Sequence, residues 1–319
     1  MISRRLLRIK VLQVLYAHYK SEGKSINHSE KDLFFSIEKT YDLYHLLQLL
    51  IIDVKDVANE KIELAKLKQV PTHDDLHPNT RFIENKLILQ FQENYRLHKY
   101  IRSKKLSWGN YPELVKNLLR KLQESKEYKI YMKVEDNDYE ADKKIIIDFI
   151  TFHMVDYDDF LQAIEEQSIF WNDDVEFIAS MLIKTIKKYK PYHNFNGPVF
   201  RLFKSDEDMK FVKHLLRKSI LKEKDYRGLI EKYTVNWDIE RIAYMDILVM
   251  QLAISELIEF PEIPVKVSLN EYLEIAKFYC TDRSSKFING ILDKIVHDLR
   301  RSKIIVKRGK GLIGEDSIN

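Results

Sequence analysis

Apolar residues recur at helical spacing along almost the whole chain. A first helix is predicted over residues 3–20, where Ser3 can cap the start and apolar side chains occupy nearly every side beyond the first turn. The stretch 108–112, with the letters WGNYP, interrupts the pattern. The same spacing predicts further helices before the final third: about 29–68, one starting near Thr80, 135–166 and 173–189.

The final third of the chain shows the clearest helix boundaries. Pro261 and Pro264 predict a turn, and Ser268 with Glu271 forms the S-x-x-E pattern of a capping box that would start the next helix. The tail, residues 301–319, holds three of the eight glycines and is expected to fray. The remaining predicted helices of this third cover 206–222, 225–233, 238–259 and 284–300.

The last predicted helix contains a glycine in an unexpected place. Asn289-Gly290 usually marks a tight turn, yet apolar residues continue at helical spacing on both sides of it. Glycine inside a helix costs about 1 kcal/mol relative to alanine. We therefore expect Gly290 to allow the close approach of another helix backbone, with Asn289 beside it offering an amide to a helix end or a ligand.

Composition strengthens the prediction of an all-α fold. Among 319 residues there are only 8 glycines and 7 prolines. The single cysteine, Cys280, excludes an internal disulfide. No window is apolar enough for a membrane span and no signal peptide is recognisable, so we expect a cytoplasmic protein that does not enter a membrane.

Candidate catalytic and metal-binding patterns are weak. The stretch GKGLIGED at 309–316 places Glu315 and Asp316 where a phosphate-binding loop needs a lysine and a hydroxyl. The stretch HDDLH at 73–77 lies in a proline-bounded loop without further ligands. Cys280 has no evident base in the sequence. The chain is therefore predicted to be no enzyme, with no cofactor and no metal.

Two stretches of the sequence carry a family resemblance. Residues 236–296 contain Trp237 and Arg241 before an apolar helix, then Glu256-Leu257, a proline turn, VSLNE, EIAK and KFINGILD. This order resembles the C-terminal half of the NusB family of transcription antitermination factors. The N-terminal stretch RRLLRIKVLQVLY is similar to the first helix of that family.

The resemblance implies an all-α, NusB-like helical bundle of two subdomains, enlarged by a long helical insertion at about 60–205. The expected organisation is an N-terminal helical region 1–205, a C-terminal subdomain 206–300 and a basic flexible tail 301–319. The implied partners are boxA-type single-stranded RNA, the ribosomal protein NusE and the transcription elongation complex. No catalysis is implied.

Three arginines near the start of the first helix are the leading candidates for RNA contact. Arg4, Arg5 and Arg8 lie within an arc of about 100° on one helix. Positive charge near a helix N-terminus is unfavourable, so either a solvated helix start or a phosphate partner must accommodate it. Guanidinium groups suit phosphates and stack on unpaired bases, which favours the phosphate partner.

The resemblance extends the candidate RNA site to the end of the chain. Tyr279 and Phe287 are either core aromatics or stacking platforms for bases. The other expected contacts are Lys266, Arg283, Lys286 and Asn289. The NusE surface would lie on helix 238–259, with Asp246 and Glu256 as polar contacts or merely as exposed helix charges.

Departures from the family pattern support a competing hypothesis. Gln251 replaces a frequent arginine, Cys280 a usual glycine and Arg283 a common acidic residue. Loss of a permanent charge at Gln251 and the net charge of only +4 fit a helical interaction scaffold that has lost RNA binding. The basic stretch 300–310 is either a solubilising end or a mobile aid to RNA binding.

Overall fold

The chain is described by a computed structural model over residues 3–21, 23–133, 138–194, 196–203, 205–234, 242–281 and 283–313. All regular secondary structure in these ranges is helical, which confirms the predicted all-α class. The α-helices in chain order are α1 (Arg4–Lys20), α2 (Ile26–Lys66), α3 (His73–Leu76), α4 (Lys86–Glu93), α5 (Tyr95–Lys104), α6 (Pro112–Glu124), α7 (Lys126–Tyr131), α8 (Tyr139–Phe149), α9 (Asp158–Gln167), α10 (Val175–Lys188), α11 (Asp206–Leu221), α12 (Glu223–Tyr233), α13 (Tyr244–Glu259), α14 (Val265–Tyr279) and α15 (Ser284–Arg301).

The helices form two compact units. The terminal unit comprises Met1–Ile37 and Arg201–Asn319, and the central unit comprises Glu38–Phe200. Helix α2, 41 residues long, contributes its first part to the terminal unit and the rest to the central unit. None of the helices in the described ranges is both long enough and apolar enough to cross a membrane.

The terminal unit is built around α13. Every residue from Asp246 to Leu257 is buried, as expected for a helix that is apolar on all sides. Helices α1, α11, α12, α14 and α15 pack against it. The predicted helix over 238–259 begins at Tyr244 in this structure, and residues 235–241, including Trp237 and Arg241, lie outside the described ranges.

In the central unit, the prediction of one long helix starting near Thr80 is wrong, because two shorter helices, α4 and α5, occupy this segment. Asn94 ends α4 and caps α5 by accepting hydrogen bonds from the amides of Arg96 and Leu97. The pattern over 135–166 is likewise divided, because α8 runs into a π-helical turn, Ile150–Met154, before α9. Trp108, in the predicted break, is buried and donates its indole N–H to the Leu46 carbonyl at 2.9 Å.

The predicted capping box at the start of α14 is wrong. The helix begins four residues earlier, with Pro264 as its N-cap, and Ser268 lies inside it. The Ser268 hydroxyl instead donates to Glu256 at 2.8 Å, and Glu271 accepts two hydrogen bonds from Arg5. Both residues are engaged by tertiary contacts because ion pairing at this place outweighs local capping.

The expected role of Gly290 is also wrong. A Cβ atom built at Gly290 would have no neighbouring atom within 4 Å, and the residue is exposed. No helix of the described chain approaches it closely. Gly290 therefore makes no packing contact with another helix. It leaves a strip of exposed backbone on α15 next to Asn289.

The described part of the tail contacts the end of α13. The ammonium of Lys307 is buried and donates to the carbonyls of Leu257 at 2.9 Å and Phe260 at 3.0 Å, at the end of α13. A 3-10 turn, Gly309–Leu312, follows. A Cβ at Gly311 would lie 1.9 Å from the Pro261 carbonyl oxygen, so only glycine fits there.

Candidate nucleic-acid interface

The three arginines lie in the first two turns of α1, and the start of this helix is capped. The Ser3 side chain accepts a hydrogen bond from the Leu6 amide, as predicted, and no acidic residue lies in the first turn. The positive charge of the arginines is therefore balanced by acidic side chains on other helices of the terminal unit. Each arginine has a different main partner, and Arg4 and Arg5 are about equally exposed whereas Arg8 is buried.

Arg8 lies inside the terminal unit. Its guanidinium donates two hydrogen bonds of 2.7 Å to Glu256 on α13, and the two side chains are 3% and 0% exposed. Glu256 also accepts hydrogen bonds from Ser268 and Tyr272 on α14. Burial opposes the charge of Arg8, but the hydrogen bonds and negative charge of Glu256 outweigh it and raise the pKa of Arg8. This cluster ties α1 to α13 and α14.

Arg5 makes a similar pair at the surface. It donates to both oxygens of Glu271 on α14 at 2.9 and 3.1 Å, and its side chain is 41% exposed. The hydrogen bonds to Glu271 raise the pKa of Arg5. Glu271 also lies 3.6 Å from the Arg8 guanidinium. The carboxylate would therefore keep a cationic neighbour if Arg5 turned toward a ligand.

Arg4 faces α11. Its Nε donates to Asp208 at 3.1 Å, and its guanidinium lies 5.0 Å from the centre of the Phe211 ring. Asp208 is buried, whereas the Arg4 side chain is 42% exposed. Arg4 thus borders the surface on a different side from Arg5.

A cleft of about 590 Å³ lies where α1, α14 and α15 meet. It brings together Arg5 from the beginning of the chain and Lys286 and Asn289 from α15. The remaining lining residues are Asn270, Leu273, Glu274, Lys277 and Ser285. Two predicted site regions more than 260 residues apart in sequence therefore share one concave surface.

The cleft has an uncompensated cation. Lys277 is paired with Glu274, whose pKa the hydrogen bond from that lysine lowers. Lys286 is exposed and has no ion pair with any carboxylate in the described ranges. Asn289 donates to Asp293 at 3.1 Å. The cleft thus offers cations, amides and a hydroxyl to a ligand.

The other predicted RNA contacts lie around the same helices but do not line the cleft. Lys266 is exposed at the start of α14, and Arg283 is exposed immediately before α15. Tyr279 is half-buried and accepts a hydrogen bond from Gln13 of α1 at 3.2 Å. Phe287 is half-buried on α15, so it is neither a fully buried core residue nor a fully exposed ring on which a base could stack.

The two predicted contacts for a partner protein are buried. Asp246 is 5% exposed, and Glu256 is 0% exposed and engaged with Arg8. The expectation that these are exposed helix charges is wrong, because both face the interior around α13. As placed here, neither carboxylate is available to a docking protein.

Two departures from the family pattern have structural explanations. Gln251 is buried and donates to the hydroxyl of Tyr19 and the carbonyl of Ser219, both at 2.8 Å. Burial and a hydrogen bond to Asp246 raise the pKa of the Cys280 thiol, which keeps it protonated and unreactive. Gln251 thus belongs to the interior of the terminal unit, whereas Cys280 is half-buried at the end of α14.

Sequence reasoning missed part of the cleft. Asn270, Leu273 and Lys277 repeat at helical spacing on one face of α14, a signal that a helical projection would have revealed. Phe278, next to Lys277, is 75% exposed. An exposed aromatic beside a basic cleft is a candidate for contact with an unpaired base.

The predicted acidic loop at 73–77 forms the short helix α3. Thr72 and Asp75 make a reciprocal capping box at its start, so one of the two aspartates has a structural task. In the described part of the chain, no three His, Cys, Asp or Glu side chains converge as metal ligands would.

Comparison with known proteins identifies relatives of this chain. A family model described as the NusB family matches residues 161–297, so the match begins inside the predicted insertion. The protein named Transcription antitermination protein NusB from Salinibacter ruber is 44% identical over 108 residues, which are 34% of this chain and 68% of the relative.

Two further relatives carry the same name. The protein from Chloroherpeton thalassium is 39% identical over 103 residues, 32% of this chain and 49% of the relative. The protein from Natranaerobius thermophilus is 45% identical over 74 residues, 23% of this chain and 53% of the relative. The chain thus spans about half the length of these two relatives. No solved structure matches the chain significantly.

Proposed function

Because this chain belongs to the NusB family of transcription antitermination factors, we propose that it binds boxA-type single-stranded RNA together with the ribosomal protein NusE. It would act in the bacterial cytoplasm as part of a transcription elongation complex. The proposal includes no catalytic step and no cofactor. The mechanism is assembly, in which the protein presents RNA and a ribosomal protein as one composite surface.

The cleft between α1, α14 and α15 is the observation that supports RNA binding. Arg5 and Lys286 supply positive charge, and Asn270 and Asn289 supply amide donors and acceptors. Cations neutralise backbone phosphates, and amides can read the edges of unpaired bases. Such a mixture suits a single-stranded nucleic acid better than it suits an apolar peptide.

The energetics of the two arginine pairs assign different roles to Arg5 and Arg8. An exposed pair such as Arg5–Glu271 is worth about 0–1 kcal/mol, so a phosphate can replace the carboxylate at little cost. Breaking the buried Arg8–Glu256 pair would cost about 3–5 kcal/mol. Our proposal therefore treats Arg5 as an RNA contact and Arg8 as a residue that positions α1.

The remaining contacts complete the proposed RNA path. Lys266 and Arg283 offer exposed cations at the starts of α14 and α15, and Arg4 offers another on α1. Tyr279 and Phe287 can present their ring edges beside these charges. Asp246 and Glu256 are left out of the proposed NusE surface because they are buried.

Titration of RNA against a cleft variant tests the proposal. The double variant Arg5→Ala/Lys286→Ala should weaken binding of a boxA-type RNA. Each lost phosphate contact lowers the slope of log K against log salt by about 0.7, so the slope should fall by about 1.4. Fluorescence anisotropy at several KCl concentrations measures both quantities.

A control with the same loss of charge separates the cleft from the rest of the surface. Lys210 and Lys224 are exposed lysines of the terminal unit outside the cleft. Lys210→Ala/Lys224→Ala should bind RNA almost as the unchanged protein does. Equal affinities and salt slopes for the cleft variant and the control variant would refute the proposed RNA site.

The competing function is a protein-interaction scaffold without RNA binding. It is favoured by Gln251, whose amide is uncharged and already bonded to Tyr19 and Ser219. The same titration decides between the two functions. If the unchanged protein binds no boxA-type RNA at 50 mM KCl but still captures purified NusE, the scaffold replaces the RNA-binding factor.

A further inference from the structure

Two segments of the central unit contain basic residues and no acidic residues. Residues 95–112 contain five Lys and Arg residues and no Asp or Glu. Residues 177–200 contain four lysines and again no acid. The central unit as a whole has slightly more acidic than basic residues. The two segments are therefore positively charged within a unit that is slightly acidic as a whole.

Side-chain amides hold these two segments together. Asn94, the cap of α5, donates to the Tyr189 hydroxyl at 3.0 Å and to the Gly197 carbonyl at 3.3 Å. Gln90 of α4 donates to the carbonyls of Lys190 at 3.0 Å and His193 at 2.6 Å. The start of α5 therefore lies against the chain that follows α10. We name the surface formed by α5 and residues 187–193 the basic face.

Most cations of the basic face lack carboxylate partners, and the exception is Lys104 at the end of α5, which pairs with Glu38 of α2. Arg96, Lys99 and Arg102 on α5 are exposed, and none is paired with an acidic side chain of the described residues. The same holds for Lys187, Lys188 and Lys190.

Three lysines elsewhere in the central unit are arranged differently. Lys66, Lys116 and Lys144 each pair with a carboxylate three or four residues away, at 2.8, 2.8 and 2.7 Å. Local pairing of this kind is the usual way to stabilise an exposed helix. No cation of α5 has such a partner three or four residues away.

The position of Arg96 argues against a purely structural role. It lies in the first turn of α5, which contains no acidic residue, and a cation there opposes the helix dipole. Lys187 and Lys188 lie in the last turn of α10, where the dipole favours positive charge. Helix stability thus accounts for the lysines of α10 but not for Arg96.

Two tyrosines accompany these cations. Tyr95, at the first position of α5, is 63% exposed, and Tyr192 is 76% exposed. The ammonium of Lys99 lies 5.9 Å from the centre of the Tyr95 ring. Aromatic rings beside unpaired cations form the usual surface for single strands, because bases stack on the rings while phosphates meet the charges.

We propose that the basic face binds single-stranded RNA without sequence preference, through its phosphates and stacked bases. This surface is separate from the cleft of the terminal unit, and it lies within the segment predicted as an insertion. The basic face would bind a transcript in a salt-dependent way, in addition to the sequence-dependent binding proposed for the cleft. The inference does not require that the cleft bind RNA.

The experiment uses the full chain and a labelled 30-nucleotide oligo(U), which lacks a boxA-type sequence. The triple variant Arg96→Ala/Lys99→Ala/Arg102→Ala should lower the slope of log K against log salt by about 2 and the affinity at 50 mM KCl by roughly tenfold or more. Lys66→Ala/Lys116→Ala/Lys144→Ala removes the same charge elsewhere in the unit. It should leave oligo(U) binding nearly unchanged.

A second variant tests the tyrosines. Tyr95→Ala/Tyr192→Ala keeps every charge and should weaken oligo(U) binding by roughly fivefold or more, because stacking contributes to each bound base. It should leave the weaker binding of an RNA duplex unchanged, since paired bases cannot stack on a side chain. The cleft variant Arg5→Ala/Lys286→Ala should retain oligo(U) binding, which separates this inference from the proposed function.

Three results would overturn the inference. The first is an unchanged protein that does not bind oligo(U) at 50 mM KCl. The second is an equal loss of affinity in the two triple variants. The third is a tyrosine variant that binds like the unchanged protein while poly-glutamate displaces oligo(U) completely, which would assign the basic face to an acidic protein.

Discussion

Arg5 and Arg8 bind carboxylates in the same bidentate geometry but in different surroundings. The Arg8–Glu256 pair is buried and receives two further hydrogen bonds from α14, whereas the Arg5–Glu271 pair is open to solvent. In water the attraction between charges is weak, and in the interior an unmatched charge is very costly. The identity of these residues alone did not predict that one pair would be buried and the other exposed to solvent.

Substitution of the two glutamates should expose this difference. Glu256→Gln removes the main counterion of the buried Arg8, leaving only Glu271 at 3.6 Å, and should lower the free energy of unfolding by about 3–5 kcal/mol. Glu271→Gln should lower it by about 1 kcal/mol or less. Urea denaturation followed by circular dichroism measures both values. A larger loss for Glu271→Gln than for Glu256→Gln would contradict the assigned roles.

Gly290 gives a prediction of the opposite sign. A methyl group at this exposed helical position meets no other atom, so Gly290→Ala should raise the free energy of unfolding by about 0.5–1 kcal/mol. The same denaturation experiment measures the gain. A destabilised Gly290→Ala variant would indicate that another group packs against this strip of α15.

At the scale of the helices, some boundaries were predicted correctly from the sequence and others were not. The boundaries of α1 and α11 follow from apolar spacing and a capping serine or a following polar turn, and the structure has them within one residue of the prediction. The division into α4 and α5 and the early start of α14 depend instead on side chains that bind elsewhere. A sequence shows which residues can cap a helix but not which competing partner they will meet.

The end of α13 depends on the tail. Lys307 caps its last carbonyls, and Gly311 lies directly on Pro261. Gly311→Ala should displace this segment, because the added carbon would clash with the Pro261 oxygen. Tryptic cleavage after Arg308 and Lys310 should then become faster, as limited proteolysis would show.

Gly290→Ala serves as the matched control for Gly311→Ala. It makes the same chemical change at an open position, so tryptic cleavage in the tail should proceed at the original rate. Identical cleavage rates for both variants and the unchanged protein would mean that the tail is not held by these contacts.

At the scale of the whole molecule, the sequence predicted the fold class and the family but only part of the site. Helical periodicity reveals the face of each helix, yet it cannot show which faces meet. The meeting of Arg5 with Lys286 and Asn289 was expected from the resemblance, whereas Asn270, Leu273 and Lys277 were found only in the structure. Burial separated Arg8 from the exposed arginines, and burial depends on every helix around α13.

Stability of the central unit should depend on pH through His45. The ring is buried against Tyr41 and Tyr100, and burial lowers the pKa of His45 to about 4. The unfolded state, with a pKa near 6.5, then binds the proton more readily, so stability is lost as pH falls from about 6.5 to 4, by at most about 3 kcal/mol.

A comparison with His45→Phe isolates this contribution. Asp53, whose pKa burial raises to about 6, acts in the opposite direction because its folded form takes up a proton first. Both proteins retain Asp53, so the difference between their urea midpoints at pH 7, 5.5 and 4.5 reports His45. Parallel pH profiles for the two proteins would contradict the predicted role of His45.

The Arg8–Glu256 pair also constrains the order of events on the ribosome. The two residues are 248 positions apart, so the counterion of Arg8 is synthesised long after the first helix has left the exit tunnel. At typical elongation speeds of about 5–20 residues per second, the interval is roughly 12–50 seconds. During that time the apolar surface of α1 is exposed and Arg8 lacks its counterion, so the nascent chain cannot close its terminal unit before α13 has been synthesised.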